Sequence, residues 1–321
     1  MLLCFKRLKK KLLAAALFIG LSQVVFAAPR LKTYEGDIFS SLPSQDGKVQ
    51  KMEEKYKANS SDPLLKSMTG VAMNEEGMTG LIVGNTAHKL PAGRLVTGFR
   101  YNYSELNSTK GAAFRTVESG EIHSFEFSGL WVTENGEISV NIPVRDWYLD
   151  APLTMGIDDS LTGLGNMTLG VKRRLREHEY YRFAVGGVLK LATGDSGRMG
   201  VAGSDENKTF KLFTCVTTKE TDKATANLEI GTIFRHKSEE KSSFIYRFGI
   251  AYAVTEHVAL IGELAGEVVG SDDKDTMDMV MAARFAVTEK VTLELAYFNN
   301  LRTYRSYGWD SKIQGGVTAK W

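Results

Sequence analysis

From residue 94 to residue 321, apolar and polar side chains alternate along the chain with a period of two. In residues 311–321, for example, the odd positions are apolar or small and end at Trp321, whereas the even positions are polar or small. Successive side chains of a β-strand point to opposite faces of a sheet, so this period predicts strands with one apolar and one polar face.

The alternating pattern recurs in about twelve segments, an even number such as single-chain bacterial outer-membrane barrels have. The segment that begins at Lys208 is the least regular, because Lys211, Phe213 and Cys215 blur the alternation. The predicted strands begin near Arg94, Ile122, Glu137, Gly163, Tyr180, Lys208, Thr225, Ser243, His257, Thr276, Lys290 and Lys312.

Two further features favour a membrane barrel over a soluble β-sandwich. The segments are about ten residues long, enough for a tilted strand to cross a membrane, whereas strands of soluble proteins average about five or six. Short connections such as residues 133–136 alternate with long ones such as residues 105–121, as periplasmic turns alternate with outer loops. The predicted fold class is all-β, a transmembrane antiparallel up-and-down β-barrel over residues 91–321. A soluble exported β-sandwich is the alternative.

The N-terminal residues predict export. Five basic side chains precede a short apolar stretch, and Val25 and Ala27 are the small residues that a signal peptidase requires. Residues 1–27 are therefore predicted to be a signal peptide, with an uncleaved membrane anchor as the alternative. Residues 28–90 lack sustained alternation, and we predict that they form an N-terminal periplasmic leader or a partial plug.

Removal of the predicted signal changes the charge balance. The whole chain has 40 Lys and Arg and 38 Asp and Glu; the signal contains five of the basic residues and no acidic one, which leaves 35 minus 38, or −3. The basic character of the whole chain thus comes from the signal, and we expect no nucleic-acid partner. Cys215 is then the sole cysteine, so no internal disulfide is predicted.

Residues 163–175, GLGNMTLGVKRRL, and residues 183–195, FAVGGVLKLATGD, carry a more specific signal. The pair resembles the outer-membrane barrel family described as MetA-pathway of phenol degradation, whose members show a GLGD-x-TLG strand and then a G-x-K-L-P-T-GD segment. Here Asn166 replaces the usual Asp and Ala192 replaces the usual Pro. The resemblance implies a transporter-like barrel.

The polar faces of the predicted strands carry charges of both signs beside small residues. Such faces could line a narrow or partly blocked channel, or their charges could pair across strands and fill the lumen. The residues predicted to line the lumen are Arg100, Glu126, Arg182, Lys190, Arg247, Glu263, Arg284 and Glu294. We expect passive passage of small solutes, including hydrophobic or aromatic ones. The alternative is a non-transporting barrel with a structural or surface-interaction role.

The expected partners follow from this fold. Outer-membrane lipid and lipopolysaccharide would contact the apolar faces, and a small-molecule solute, unidentified from the sequence, would contact the lumen. The last strand is similar to the assembly signal of outer-membrane barrels. We therefore expect Trp321 to serve recognition by the barrel-assembly machinery and anchoring at the membrane interface.

A lipid hydrolase built on a barrel of this size is the enzyme to consider. It would need Ser and His within hydrogen-bond reach and a third group that orients the His. His123 and Ser124 are adjacent, so their side chains are predicted to point to opposite faces, and no recognisable Ser/His motif surrounds the other histidines. We expect a protein that is not an enzyme, with no cofactor and no metal site.

Overall fold

The computed structural model describes residues 72–88, 90–107, 119–150, 160–193, 208–218, 223–235, 242–269, 275–302 and 311–321. The predicted signal peptide, residues 28–71 and most of the long connections lie outside these ranges. Within them, no helix is long and apolar enough to cross a membrane.

The described ranges contain fifteen β-strands. Two short ones come first, β1 (Ala72–Met73) and β2 (Thr79–Gly80). The longer strands are β3 (Leu95–Asn107), β4 (Ser119–Val132), β5 (Gly136–Asp150), β6 (Ser160–Leu164), β7 (Thr168–Glu177), β8 (Tyr181–Lys190), β9 (Thr209–Thr218), β10 (Ala224–Arg235), β11 (Ser242–Ala253), β12 (Val258–Val268), β13 (Thr276–Ala286), β14 (Val291–Arg302) and β15 (Ser311–Lys320).

Strands β3 to β15 form one antiparallel sheet that closes on itself. β15 pairs with β3, with Ser311 opposite Glu105 and Lys320 opposite Val96. β6 and β7 both pair with β5 and are two parts of one interrupted strand, so the 13 described strands of the sheet occupy 13 minus 1, or 12, positions in the barrel. This closed barrel confirms the predicted fold class.

The predicted strand starts agree with the structure to within 3 residues. The prediction missed the break between β6 and β7 at residues 165–167. That break lies opposite Pro143, which has no backbone N–H to donate to a neighbouring strand. The N–H of Gly165 donates to the Pro143 carbonyl (2.8 Å), and regular pairing resumes where Thr168 lies opposite Asn141.

The two faces of the barrel wall differ as the alternation requires. Large apolar side chains such as Phe127 and Leu295 are more than half exposed on the outside, and similar residues recur on strands all round the barrel. Such a continuous apolar band is the surface that lipid covers in outer-membrane barrels. On β9 the three residues that blurred the sequence pattern, Lys211, Phe213 and Cys215, are all buried on the inner side.

Candidate functional site: the lumen and its inner segment

The eight residues predicted to line the lumen all lie on the inward-facing positions of their strands. Arg100, Glu263, Arg284 and Glu294 are buried, and Glu126, Arg182, Lys190 and Arg247 are half-buried. Some of them pair directly across neighbouring strands. Arg284 Nε lies 2.7 Å from Glu294 Oε2, and Arg100 Nη1 lies 3.9 Å from Glu126 Oε2.

Residues 72–88, which we name the inner segment, lie inside this wall. β1 and β2 pair with each other, with Ala72 opposite Gly80. Most side chains of the segment have almost no solvent exposure. Its polar atoms contact inward-facing side chains on strands from β3 round to β15, so the wall surrounds the segment.

Glu263 on β12 binds three consecutive backbone N–H groups of the inner segment. The N–H of Gly84 donates to Oε2 (2.8 Å), and those of Val83 (3.1 Å) and Ile82 donate to Oε1. Hydrogen bonds to a carboxylate are charge-assisted and are among the stronger ones in proteins. Glu263 therefore fixes the turn that follows β2.

Three arginines of the wall donate to backbone carbonyl groups of the inner segment. The bonds run from Arg284 to Leu81 (2.7 Å) and Gly80 (3.1 Å), from Arg247 to Val83 (2.9 Å), and from Arg100 to Met73 (2.6 Å). Buried carbonyl groups require such donors. Side chains of the wall thus supply what a neighbouring strand would supply in a sheet.

Thr79 is the centre of a second anchor. Its hydroxyl donates to Glu137 Oε1 (2.8 Å), and Lys172 Nζ donates to its carbonyl oxygen (2.8 Å). Lys172 and Glu137 also pair with each other at 3.0 Å, and Lys172 donates to the carbonyl of Thr86 (2.8 Å). A buried ion pair is stable only when hydrogen bonds complete its shell, and here the inner segment provides them.

Asn85 and Ala87 bind wall strands β9 and β10, which lie between β7 and β12 in the barrel. The N–H of Asn85 donates to Glu229 Oε2 (2.6 Å), and Asn227 Nδ2 donates to the Asn85 carbonyl (2.9 Å). The N–H of Ala87 donates to Thr217 Oγ1 (2.7 Å). Both backbone groups of Asn85 are thereby bonded to neighbouring positions on one strand, β10.

The inner segment carries two charged residues, Glu75 and Glu76. Glu76 accepts from Arg247 Nη1 (3.1 Å) and pairs with Lys211, and Glu75 pairs with Lys312. Burial alone would raise the pKa of Glu76, but the charges of Lys211 and Arg247 outweigh burial and lower it to about 2. Glu76 is therefore ionised at neutral pH while the segment is docked.

His88 ends the inner segment as a neutral side chain. Arg182 Nη1 lies 2.9 Å from His88 Nδ1, which accepts the hydrogen bond because an arginine can only donate. Burial, and after it the charges of Arg182 and Lys172, lower the pKa of His88 to about 3. The histidine can take up a proton readily only when it leaves this position.

Apolar contacts complete the docking of the inner segment. Leu81, Ile82 and Val83 join a buried cluster with side chains of four strands: Ala251, Ile261, Ala265, Val280, Ala282, Ala296 and Phe298. Gly249 on β11 leaves room for this contact, since a Cβ there would lie closer than 3.0 Å to Leu81 Cδ1.

The inner segment is held by side chains rather than by strand pairing. Its backbone hydrogen bonds to backbone partners stay within the segment, for example from Glu75 N to Ile82 O (2.9 Å), as far as the described residues show. β3 to β15 close the barrel through their own pairings. Departure of the segment would therefore break no pairing of the barrel.

Two other sequence predictions concern residues outside the lumen contacts. His123 is half-buried and its Nδ1 lies 2.6 Å from the Tyr101 hydroxyl, whereas Ser124 is buried on the inner side, which confirms that the two point to opposite faces.

Trp321 is mostly exposed. Its backbone N–H donates to Leu95 O (2.8 Å) and its indole Nε1 to Thr97 Oγ1 (3.1 Å), so the end of the chain is bonded to the first barrel strand, β3.

Sequence reasoning missed the residues that the lumen holds. The prediction for residues 28–90 allows a periplasmic leader or a partial plug. It does not single out residues 72–88, because they show neither a period of two nor a helical period. The apolar residues 81–83 are bounded by Gly80 and Gly84 and followed by Asn85. This pattern is the signal that could have marked a compact buried turn.

Comparison with known proteins supports the same architecture. The chain is similar to the crystal structure of an outer-membrane channel from Pseudomonas putida F1, with a TM-score of 0.61 and 13% identity over 75% of this chain and 100% of that one. Weaker likenesses are to the NanC porin (TM-score 0.49, 8% identity, 70% and 98% covered) and the KdgM porin (0.44, 12%, 69% and 98%). No protein-family model and no curated protein matches the chain.

At these identities the first likeness concerns the fold, and the two weaker ones add nothing to it. The closed twelve-position barrel, its apolar outer band and its charged inner wall define the class of protein: a transmembrane β-barrel of the outer-membrane type.

Proposed function

We propose that the protein is an outer-membrane channel for the passive passage of small solutes, with a lumen that the inner segment closes as a partial plug. The observation that carries this proposal is the way the segment is held. Polar side chains of the wall bind it all round, and no described backbone pairing joins it to the barrel.

Such an attachment is reversible by its chemistry. Water can replace the segment on each charged or polar side chain of the wall, because those groups are as well solvated by water as by backbone amides. The lumen wall left behind would carry charges of both signs, among them Arg100, Glu126, Glu263 and Arg284. Rings of charged side chains are what tunes solute passage in a water-filled pore.

The resemblance of residues 163–195 to the phenol-degradation family extends the proposal to hydrophobic or aromatic solutes. The apolar outer band supports a place in the outer membrane, in contact with lipid and lipopolysaccharide. Export by the signal at residues 1–27 and recognition of the last strand, with Trp321, by the barrel-assembly machinery belong to the same proposal. Catalysis does not.

Conductance tests the proposal. Mature protein, and a variant that lacks residues 28–90, are reconstituted in planar bilayers at equal amounts of folded barrel. The intact protein should show rare openings, and the shortened one a larger and steadier conductance. Heat-modifiable migration on gels is the control that both proteins are folded barrels. A shortened barrel that folds and never conducts would exclude a channel.

The same experiment decides between the channel and a non-transporting barrel. Full burial of Leu81, Ile82 and Asn85 inside the wall favours that second function, since the docked state is closely packed. In that case the wall side chains would pair with one another after the deletion, and the lumen would stay closed to ions.

A further inference from the structure

Three cationic side chains of the wall meet the two carboxylates of the inner segment. Lys211 Nζ and Arg247 Nη1 (3.1 Å) bind Glu76, and Lys312 Nζ binds Glu75. All the other contacts between segment and wall described above use backbone groups or neutral side chains of the segment. These two carboxylates therefore form a distinct part of the docking surface.

The geometry at Glu76 is that of a carboxylate-binding site. One oxygen accepts from Lys211 and Arg247, and the other accepts from Asn85 Nδ2 (2.7 Å). Charge-assisted hydrogen bonds from ammonium and guanidinium groups are the usual way in which proteins hold a carboxylate. The occupant of the site is a side chain of the same polypeptide.

The two carboxylates are also the most accessible polar groups of the inner segment. The side chain of Glu75 is 27% exposed and that of Glu76 is 15% exposed, whereas Asn74, Thr79 and Asn85 are fully buried. Lys312 lies near the start of β15, on the side of the barrel where the long connections lie. A solute that enters from that side would reach these charges before it reached the deeper anchors.

Loss of the inner segment would remove two carboxylates from this place in the lumen. Lys211 (2.9 Å) and Arg247 (3.4 Å) both retain Glu229, so two cations would share one carboxylate. Lys312 Nζ lies 3.6 Å from the centre of the Phe298 ring, and Phe298 belongs to the buried apolar cluster that the segment joins. A solute with an acidic group and an apolar body would match the cationic side chains and the Phe298 ring at this place.

We propose that Lys211, Arg247 and Lys312 form a carboxylate-binding site in the lumen, which Glu75 and Glu76 occupy in the closed protein. A small carboxylate solute with an apolar body opens the channel by taking their place. This inference rests on the proposed channel function and names its solute class. Because the solute binds only the released state, it favours opening by a factor of one plus its concentration divided by its Kd, about 11-fold at ten times Kd.

Benzoate and benzyl alcohol are a suitable pair of probes for single-channel recording of the mature protein at constant ionic strength. Benzoate should raise the frequency of opening in a saturable way, and benzyl alcohol, which has the ring without the charge, should not. Glu75→Gln with Glu76→Gln should raise the frequency of opening without any solute. Lys312→Gln should raise the half-saturating benzoate concentration several-fold, and Lys312→Arg should restore it.

Glu267→Gln is the matched control, since Glu267 binds Arg235 and Ser243 on the wall. Its response to benzoate should equal that of the unmodified protein. Equal responses to benzoate and benzyl alcohol, or an unchanged half-saturation in Lys312→Gln, would overturn the carboxylate site and leave the channel standing. Absence of conductance in the folded variant without residues 28–90 would instead overturn the channel.

Discussion

Gly249→Ala should favour release of the inner segment while the strand pairings of the barrel stay intact. A Cβ at this inward-facing position would lie closer than 3.0 Å to Leu81 Cδ1 and 2.8 Å from Glu263 Cγ. Leu81 is fully buried in the apolar cluster of the docked segment, so it has little room to move aside. In the released state the new methyl group would face an empty lumen and meet no side chain of the segment.

The contact with Leu81 exists only in the docked state, so its cost falls on that state alone. The contact with Glu263 lies within the wall and is present in both states. Insertion of one methyl group into a well-packed site costs about 1–3 kcal/mol. Since every 1.4 kcal/mol changes an equilibrium about tenfold, the ratio of released to docked segment should rise about 5- to 150-fold. The frequency of channel opening in planar bilayers reports that ratio directly if the segment is what closes the lumen.

Gly262→Ala provides the matched control for this experiment. Gly262 lies on the neighbouring strand β12, opposite Ile250, and a Cβ there would have nothing within 4 Å. Both substitutions change the unfolded chain in the same way, so this effect cancels in their comparison and the contacts made at position 249 remain. Equal opening frequencies for the two variants, with both barrels folded, would refute the claim that the docked segment blocks passage.

Four further outcomes are expected from contacts described above. Trp321→Ala removes the indole hydrogen bond to Thr97 and should lower the amount of heat-modifiable, folded protein in membranes. The conductance of the surviving channels should stay unchanged, and a changed conductance would give Trp321 a role in passage. Acidification from pH 7 towards pH 3 should raise the opening frequency, because the released segment binds protons more readily than the docked one. The pKa of His88 is about 6.5 when released and about 3 when docked, and that of Glu76 is about 4.5 when released and about 2 when docked. His88→Gln should remove the part of that rise above pH 5, and a rise that persists there would point to another group. Thr79→Val keeps the shape but removes the hydroxyl that Glu137 accepts from, which should weaken docking by about 1–3 kcal/mol; an opening frequency equal to that of the unmodified protein would show that this bond does not hold the segment.

The contacts between the inner segment and the wall differ in how easily solvent reaches them. The bonds to Glu263, Arg284 and Glu137 are buried, so they hold the segment with little competition from water. The pairs at Glu75 and Glu76 are partly exposed and therefore exchange more easily with dissolved ions. Release is expected to begin at these two glutamates and to reach the buried anchors afterwards.

The barrel wall could be predicted from the amino-acid sequence. Period-two alternation is a local property, since each side chain of a membrane-spanning strand must face either lipid or the lumen. Residues such as Arg247 and Leu295 could therefore be assigned to opposite faces without knowledge of any partner strand. The pairing of residues 311–321 with the strand that begins near Arg94 followed from the need to close the sheet.

The residues that fill the lumen could be identified only from the folded barrel. Glu75 pairs with Lys312, 237 residues further along the chain, and the turn at residues 82–84 binds Glu263, about 180 residues away. No local pattern in residues 72–88 encodes these partners, because the segment has no periodicity and takes its shape from the wall around it. The break opposite Pro143 was hidden for the same reason: its cause lies on a neighbouring strand. Contacts between distant residues become visible only when the barrel is closed.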